Sequence, residues 1–413
     1  PTGGLVGGVD HDAGEARLES FLDDINNLLN DKRRKASFAT YALGLLSEAE
    51  RKSVEPIAAR AVGKAADVEA AHQRLLHFLA RSDWDDHAVR LLATRYGLKF
   101  MAAEQPVEAS IIDDTGFLKQ GTHSVGVQRQ YTGSAGKIAN CQVGVSLSLA
   151  TRSDHLPVDF ELYLPTSWTD DTARRAKAHI PDEVVFKTKP ELALAMLTHA
   201  QEAKLPLGVV LADAGYGNSA EFRLGLHRLG LPYSVGVAAS SKVFEVHEVV
   251  NRGGQAIDLR KLASKLDAKG KFQRFTWRTG TRGELSARFA MRRVAPCGEQ
   301  DNQLDERSTV WLLIEWRDGE ADPANYYFSS LPADTTLDAL VRITTQRWRT
   351  ERAYEDLKGE LGLDHFEGRS FRGWHHHISV VLCCYAFVVA ERHRIFPLST
   401  NRPSRARSLR GAA

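Results

Sequence analysis

The first hundred residues carry apolar positions at intervals of three and four, which is the pattern of amphipathic helices. This spacing is clear over residues 18–28 and again over residues 68–80. Ser82 precedes Asp85 at the spacing of a capping box, which predicts the start of a further helix. The chain therefore begins, after a Gly-rich start, with an all-α unit.

Beyond residue 105 the pattern changes to period-two alternation and short apolar runs, which are typical of β-strands. The predicted elements are, in order, strands near 107–112, 142–149 and 157–164, a helix over 190–203, a strand over 207–212, a helix over 219–229 and a strand over 233–237. This order is that of an RNase H-like fold, in which the first and fourth strands are neighbours in one sheet. The ends of those two strands carry Asp113, Asp114 and Asp213. We therefore expect carboxylates from both strands to face one cleft.

A strand-rich stretch then interrupts the core, and a helix predicted over residues 337–361 resumes it. The apolar run over residues 378–390 has thirteen residues, short of the roughly 20 that a bilayer requires, so it predicts a buried helix and no membrane span. The fold class is α/β: an RNase H-like mixed sheet core, interrupted by a β-rich insertion and preceded by an all-α N-terminal domain. The predicted divisions are a flexible start (1–14), a helical domain (15–104), the first part of the core (105–241), the β-rich insertion (242–335), the second part of the core (336–394) and a flexible basic tail (395–413).

The charge distribution adds to this picture more than the overall composition does. The formal net charge is only +2, yet residues 242–293 carry a local excess of +8 and residues 339–413 one of +6. Basic regions separated by near-neutral stretches suit a protein that follows a phosphate backbone, although plain solvated charge explains either region equally well. The four cysteines form no C-x-x-C pair and no signal peptide is visible, so we expect a reduced, cytoplasmic setting.

Three acidic residues on separate predicted elements form the candidate catalytic and metal-binding site: Asp114, Asp213 and Glu351. On a helix, Glu351 shares one face with Arg347 and Lys358, so two cations flank this carboxylate. An ordinary surface ion pair between Arg347 and Glu351 is the alternative. Asp113 competes with Asp114, because alternation along a strand lets only one of the two face the cleft.

Such a set of residues suits phosphodiester cleavage, which adds negative charge to a site that is already anionic. Two Mg²⁺ ions about 4 Å apart can activate the attacking oxygen and stabilise the leaving oxygen. Mg²⁺ prefers oxygen ligands and keeps several waters, so a few carboxylates suffice to hold two ions. Asp114 is the candidate for the carboxylate that bridges both ions.

At these residues the sequence resembles a known family. Asp114-Thr-Gly, Leu211-Ala-Asp213 and Arg347-Trp-x-x-Glu351 with Lys358 are similar to the three acidic motifs of DDE transposases. The third motif is similar to the Y-x2-R-x3-E-x6-K signature of the insertion-sequence branch with a β-rich insertion domain, except that Thr344 replaces the tyrosine. Further stretches resemble the subgroup called DDE superfamily endonucleases, among them Ile112-Asp-Asp-Thr-Gly-Phe, Ser124-Val-Gly-Val-Gln-Arg-Gln-Tyr and Gly362-Leu-Asp-His-Phe-Glu-Gly-Arg-Ser.

The resemblance implies a bacterial transposase that binds terminal inverted repeats, cleaves DNA strands with two Mg²⁺ ions and joins the 3′-OH ends to target DNA by cut-and-paste transposition. Mn²⁺ can substitute for Mg²⁺ in this chemistry. Double-stranded DNA is then the partner, and the helical domain over residues 15–104 is the predicted DNA-binding domain, with a plain packing domain as the alternative. We also expect a homodimer in the DNA complex, in the bacterial cytoplasm at the nucleoid.

The expected DNA-contacting residues are Arg347, Lys358, Lys137, Trp277, Arg278 and Tyr354. In relatives a tryptophan of the insertion domain stacks on a flipped base, which makes Trp277 a candidate, but a packed strand residue is the preferred interpretation. Tyr354 is the candidate to supply the phosphate contact that Thr344 lacks.

Two other functions fit parts of the pattern. A host RNase H-like nuclease or resolvase does not account for the helical domain or for the 138 positions between Asp213 and Glu351. A domesticated, non-catalytic DNA-binding protein does not account for the intact acids. The three histidines at 375–377 do not predict a shared metal ion, because consecutive helical residues point in different directions. The stretch over residues 133–137 lacks the spacing of a phosphate loop and predicts a turn between the first two core strands.

Overall fold

The computed structural model describes residues 11–245, 255–280, 283–297 and 309–397. Its first part is helical: α1 (His11–Leu29), α2 (Lys32–Leu46), α3 (Val54–Ala61), the 3₁₀ turn Ala65–Asp67, α4 (Val68–Ala80) and α5 (Asp86–Met101). Because α1 begins at His11, the end of the predicted flexible start is helical, whereas residues 1–10 lie outside the described part. Asp85 caps α5 by accepting a hydrogen bond from the Ala88 amide at 2.8 Å, so the cap predicted at Ser82 is wrong.

The middle of the chain alternates between strands and helices in the predicted order. Its elements are β1 (Ala109–Leu118), β2 (Gln128–Thr132), β3 (Lys137–Ala150), β4 (His155–Tyr163), α6 (Thr166–Thr169), α7 (Thr172–Ala178), α8 (Lys189–Glu202), β5 (Val209–Ala212), α9 (Ala214–Gly217), α10 (Ala220–Arg228) and β6 (Tyr233–Val237). In the sheet the order is β2-β3-β1-β5-β6, and β4 also pairs with β3. β1 and β5 are therefore parallel neighbours, as predicted for the first and fourth strands of the sequence pattern.

The β-rich stretch continues the same sheet. It contains β7 (Lys242–Glu245), β8 (Ile257–Asp258), α11 (Leu259–Ala268), β9 (Gln273–Gly280), β10 (Gly283–Pro296), β11 (Val310–Trp316) and β12 (Asn325–Ser329). β12 pairs antiparallel with β6, so the strands of the described residues form one mixed sheet of twelve. The chain then continues through α12 (Leu337–Thr344), the 3₁₀ turn Thr345–Arg347, α13 (Trp348–Gly359) and α14 (Phe371–Ile395).

The long helix α14 lies in the centre of the protein, as the apolar run predicted. Of the described helices it alone has the length and composition to cross a membrane, and 94% of its most apolar window is buried inside the protein. The three consecutive histidines point to different partners, as expected. His376 Nδ1 lies 2.8 Å from the Leu79 carbonyl oxygen, and His377 Nδ1 lies 2.9 Å from the hydroxyl of Tyr41 on α2. These contacts join the helical unit to the rest of the core.

The structure also differs from the predicted elements at one strand end, at one additional strand and at one helix. The first core strand was predicted to end at Asp113 and Asp114, but β1 continues to Leu118. The short edge strand β2 was not predicted because its sequence, Gln-Arg-Gln-Tyr-Thr, is mostly polar and only Thr132 is buried. The turn over residues 133–136 thus joins β2 to β3. The single helix predicted over residues 337–361 is divided by a 3₁₀ turn. Of the predicted basic tail, residues 398–413 lie outside the described part.

Candidate active site

Acidic residues from three elements meet in a cleft of about 1140 Å³. Asp113 and Asp114 come from β1, Asp213 follows β5 directly, and Glu351 lies on α13. Other side chains that line the cleft are Tyr131, Tyr163, Lys189, Tyr216, Arg347, Tyr354, Glu355 and Lys358. The cleft thus brings together the three predicted acids, their rival Asp113 and both predicted flanking cations.

Both aspartates of β1 reach the cleft, so the expectation that only one of them can do so is wrong. Asp113 lies opposite Ser146 of β3 and Asp114 lies opposite Val145, so their side chains leave the strand on opposite faces. The other edge of β1 pairs with β5 only over Ala109 to Ile111. Beyond that point this edge has no strand partner among the described residues. Both carboxylates can therefore turn toward the same opening.

Arg347 lies among three of the carboxylates. Its guanidinium is 3.1 Å from an Asp113 oxygen and 3.8 Å from a Glu351 oxygen. Burial lowers the pKa of Arg347, but the charges of Asp113, Asp213 and Glu351 outweigh it and raise the pKa above its ordinary value. Burial also raises the pKa of Asp113 to about 7, in spite of the Arg347 charge. Arg347 therefore supplies the positive charge on the face of β1 that carries Asp113.

Asp114 is held by a different pair of donors. The Lys189 ammonium is 2.9 Å from Asp114 Oδ2, and the hydroxyl of Tyr216 donates to the same oxygen at 3.2 Å. Lys189 is the first residue of α8, whose start is fixed by a capping box between Thr188 and Glu191. Neither Lys189 nor Tyr216 was predicted from the sequence. The Thr-Lys-Pro-Glu sequence at the start of α8 was the available signal for Lys189.

Asp213 is held by the backbone of its own turn. It ends the buried strand β5 and caps α9, where its Oδ1 accepts a hydrogen bond from the Gly215 amide at 2.8 Å. Gly236 of β6 packs directly against this turn. A Cβ at position 236 would lie 2.8 Å from the Ala214 nitrogen and 3.1 Å from the Asp213 carbonyl carbon. Such distances leave no room for a side chain there.

The predicted face of α13 lines the cleft. Glu351 is 67% exposed at its side chain, which leaves it free to move toward a ligand. Lys358 donates to the Gly116 carbonyl oxygen at 2.9 Å, and Tyr354 is hydrogen-bonded to Ser146 at 2.6 Å. Glu355 of α13 also lines the cleft, whereas Asp356 of the same helix and Glu360, just beyond its end, do not.

The remaining predicted DNA-contacting residues lie away from the cleft. Lys137 is exposed at the start of β3. Trp277 packs edge-on against Phe289 with ring centroids 5.5 Å apart, which favours the packed strand residue over the base-stacking interpretation. Arg278 lies over the ring of Trp348, 3.8 Å from its centre. Tyr131 lines the cleft and is 66% exposed. It was not predicted from the sequence.

Comparison with known proteins adds an independent finding. The family model described as DDE superfamily endonuclease matches residues 24–284, more than half of the chain, and that described as transposase DDE domain matches residues 187–387. Over 227 residues the chain is 31% identical to the probable transposase for insertion sequence element IS701 of Microchaete diplosiphon. That match covers 55% of each protein, so the chain spans about half the length of this relative. A similar solved structure is a piggyBac transposase synaptic complex with hairpin DNA, at a TM-score of 0.45 and 9% identity over 88% of this chain and 66% of that chain.

Proposed function

The chain belongs to the DDE superfamily endonucleases, and from this premise we propose that it is an insertion-sequence transposase that cuts and joins DNA with divalent metal ions. One observation carries the proposal: acids from β1, β5 and α13 line a single open cleft together with basic side chains. We assign the catalytic and metal-binding roles to Asp114, Asp213 and Glu351, with Asp113 as the alternative to Asp114.

The donor set fits magnesium or manganese. The four carboxylates offer hard oxygen ligands, which these ions prefer to nitrogen or sulfur. Asp113 and Asp114 each contact a positively charged side chain, so both carboxylates already stabilise a neighbouring positive charge. Two Mg²⁺ ions, once bound, would activate the attacking oxygen and stabilise the leaving oxygen of a phosphodiester.

The protein's own residues would prepare the site for DNA. The Gly215 amide fixes the carboxylate of Asp213, so this ligand needs no reorganisation. Arg347 can exchange its contact with Asp113 for one with a DNA phosphate, because its planar guanidinium suits either anion. Lys358 lies on the same face of α13 and supplies a second positive charge to the phosphate backbone.

The strand order supports the proposal of an RNase H-like core, because β4, β3, β1, β5 and β6 are neighbours in that order. We propose cut-and-paste transposition by a homodimer that holds two inverted repeats and a target DNA. In this scheme the helices α1 to α5 contact the inverted repeats. Lys137 and Arg278 contact DNA outside the cleft. The setting is the bacterial cytoplasm, at the nucleoid.

A cleavage assay tests the proposal. The substrate is a plasmid that carries this coding sequence with its natural flanking DNA, incubated with the full chain and Mg²⁺ or Mn²⁺. We expect strand cleavage at the two flanks, and a loss of about a thousandfold in Asp213→Asn, which corresponds to about 4 kcal/mol of transition-state stabilisation. Asp182→Asn is the matched control, since this exposed aspartate lies outside the cleft. The control variant should cleave at the normal rate.

Two results would overturn the assignment. Undiminished cleavage by Asp213→Asn would exclude the two-metal site. Binding of the flanking DNA without cleavage under any metal condition would instead support a domesticated DNA-binding protein. Parallel measurement of Asp113→Asn and Asp114→Asn decides which aspartate of β1 is essential, because the essential one should lose as much cleavage as Asp213→Asn does.

A further inference from the structure

The two aspartates of β1 are each neutralised by a cation of the protein, from opposite faces of the strand. Arg347 contacts Asp113 at 3.1 Å, and Lys189 contacts Asp114 at 2.9 Å. Arg347 belongs to the motif on α13, but Lys189 belongs to α8, which carries none of the four acids. The contact between Lys189 and Asp114 is therefore a feature that the acidic motifs do not include.

The position of Lys189 is fixed by its helix. The capping box of Thr188 and Glu191 fixes the start of α8, and Pro190 follows at the first turn. The side chain of Lys189 lines the cleft and is 32% exposed. Tyr216 donates to the same oxygen of Asp114, so this carboxylate is held by two donors from different helices.

Lys189 also stands apart from the other cations of the cleft. Among the described residues that line it, Arg347 and Lys358 are the other two positively charged side chains. Arg347 is engaged by Asp113, and Lys358 donates to the Gly116 carbonyl oxygen and to Ser134. On the face of β1 that carries Asp114, the Lys189 ammonium thus lies beside the carboxylate oxygen. A divalent cation bound to Asp114 would compete with the ammonium for this carboxylate.

We propose that Lys189 is a built-in competitor of the divalent metal ion at Asp114, and that metal binding displaces its ammonium into the cleft. The proposal rests on the proposed function, because it takes Asp114 as a metal ligand. An ammonium and a metal ion on one carboxylate repel each other, so occupancy by one weakens the other. Without metal, Asp114 would stay paired with its own lysine. With metal bound, the released ammonium would face the DNA and pair with a phosphate.

Metal titration in the absence of DNA tests this competition. We would measure Mn²⁺ binding to the full chain by calorimetry at constant pH and ionic strength. Lys189→Met removes the charge and keeps most of the length of the side chain, and it should bind Mn²⁺ about three- to fivefold more tightly, as expected for loss of a partly exposed ion pair. Lys189→Arg keeps the charge and should bind Mn²⁺ within about twofold of the parent chain.

Lys187 provides the matched control. It lies two residues earlier, is exposed and does not line the cleft, so Lys187→Met removes the same charge without removing the contact. An equal change of affinity in both variants would reduce the effect to net charge and overturn the proposal. Unchanged or weaker binding by Lys189→Met would overturn it directly.

The target of the competition is tested in a second background. The gain from Lys189→Met should disappear in Asp114→Asn, and a gain that persists there would exclude Asp114 as the partner. Failure of the proposed function gives a different result: Asp213→Asn would then bind Mn²⁺ with the stoichiometry and affinity of the parent chain. If Asp213→Asn loses Mn²⁺ and Lys189→Met changes nothing, the metal site stands and the competition falls.

Discussion

Gly236 matters because its missing side chain lets β6 approach the turn that holds Asp213. A Cβ at this position would come within 3.1 Å of the backbone at Asp213 and Ala214. Contacts that short force the backbone to shift, and a shift at Asp213 moves a proposed metal ligand. The effect on activity should therefore exceed the effect on stability.

We expect Gly236→Ala to lower the free energy of unfolding by about 1 to 3 kcal/mol, and to lower cleavage by about a hundredfold even where the protein remains folded. Thermal denaturation and cleavage of the flanking-DNA plasmid measure the two effects. Gly359→Ala is the control, since a Cβ there meets nothing within 4 Å. Normal cleavage by a folded Gly236→Ala protein would show that Asp213 tolerates the shift.

At the residue scale the sequence predicted which acids meet but not how they are held. Asp213 and Glu351 could be predicted because each ends or occupies a clearly patterned element. The presence of both Asp113 and Asp114 in the cleft could not be predicted, because it depends on where β5 stops pairing with β1, and strand alternation alone does not report that. Lys189 was missed for a related reason, since its partner lies 75 positions away.

Among the elements, α5, β4 and α14 are joined by a buried charge network around Arg90. Arg90 contacts Asp86 at 2.9 Å, Asp159 at 3.2 Å and Glu161 at 3.7 Å. His87, Asp159 and Glu161 bring ligand atoms within 4.8 Å of one another, a spacing that would suit a metal ion. The guanidinium already contacts all three side chains and supplies the positive charge that they need.

This network predicts a pH-dependent contribution to stability from Asp86. Burial alone would raise the pKa of Asp86, but Arg90 and nearby histidines outweigh burial and lower the pKa from 3.8 to about 2. Because the folded-state pKa lies below the unfolded value, the contribution is complete above about pH 4 and is lost as the pH falls toward 2. It corresponds to about 2 kcal/mol.

Asp86→Asn should therefore lose about 2 kcal/mol at neutral pH, and the difference from the parent chain should shrink below pH 4 and vanish near pH 2. Urea denaturation at a series of pH values measures this. Asp83→Asn removes an exposed ion pair with Arg372 and should change little at any pH. A difference that stays constant down to pH 2 would mean that Asp86 acts through packing and not through its charge.

Elements with a strong hydrophobic pattern were predicted well, and polar edge elements were not. Val68–Ala80 and Tyr233–Val237 match the predicted ranges because burial imposes a clear period on them. β2 was missed because an edge strand needs few apolar residues. The pairing of β12 with β6 was not predicted either, since a sequence pattern gives strands but not the partners they take across a long insertion.

On the scale of the whole molecule, one hydrophobic core runs from the first helices through the sheet to α14. The helices of residues 15–104 pack against α14, for example through the hydrogen bond between Tyr41 and His377, and α5 also packs against β4. The boundary predicted near residue 104 separates patterns in the sequence, but the same core crosses it.

We therefore predict that a fragment of residues 11–104 does not fold alone. Its helices would expose the apolar faces that α14 covers in the full chain, so it should show no cooperative thermal transition by circular dichroism. The same fragment mixed with a peptide of residues 366–397 is the comparison, and it should gain helix content. A sharp transition in the fragment alone would show that the helical unit is an independent domain.

The late position of α14 sets a delay during synthesis. Arg17 on α1 and its partner Glu391 on α14 are 374 positions apart. At a translation rate of about 5 to 20 residues per second, the first helices wait on the order of 20 to 75 seconds for the segment that covers them. Through that interval their apolar faces are open to chaperones and proteases. The helix that carries Glu351 precedes α14 in the chain, so the last wall of the cleft is synthesised while the first helices are still uncovered. Their exposure ends only as α14 leaves the ribosome.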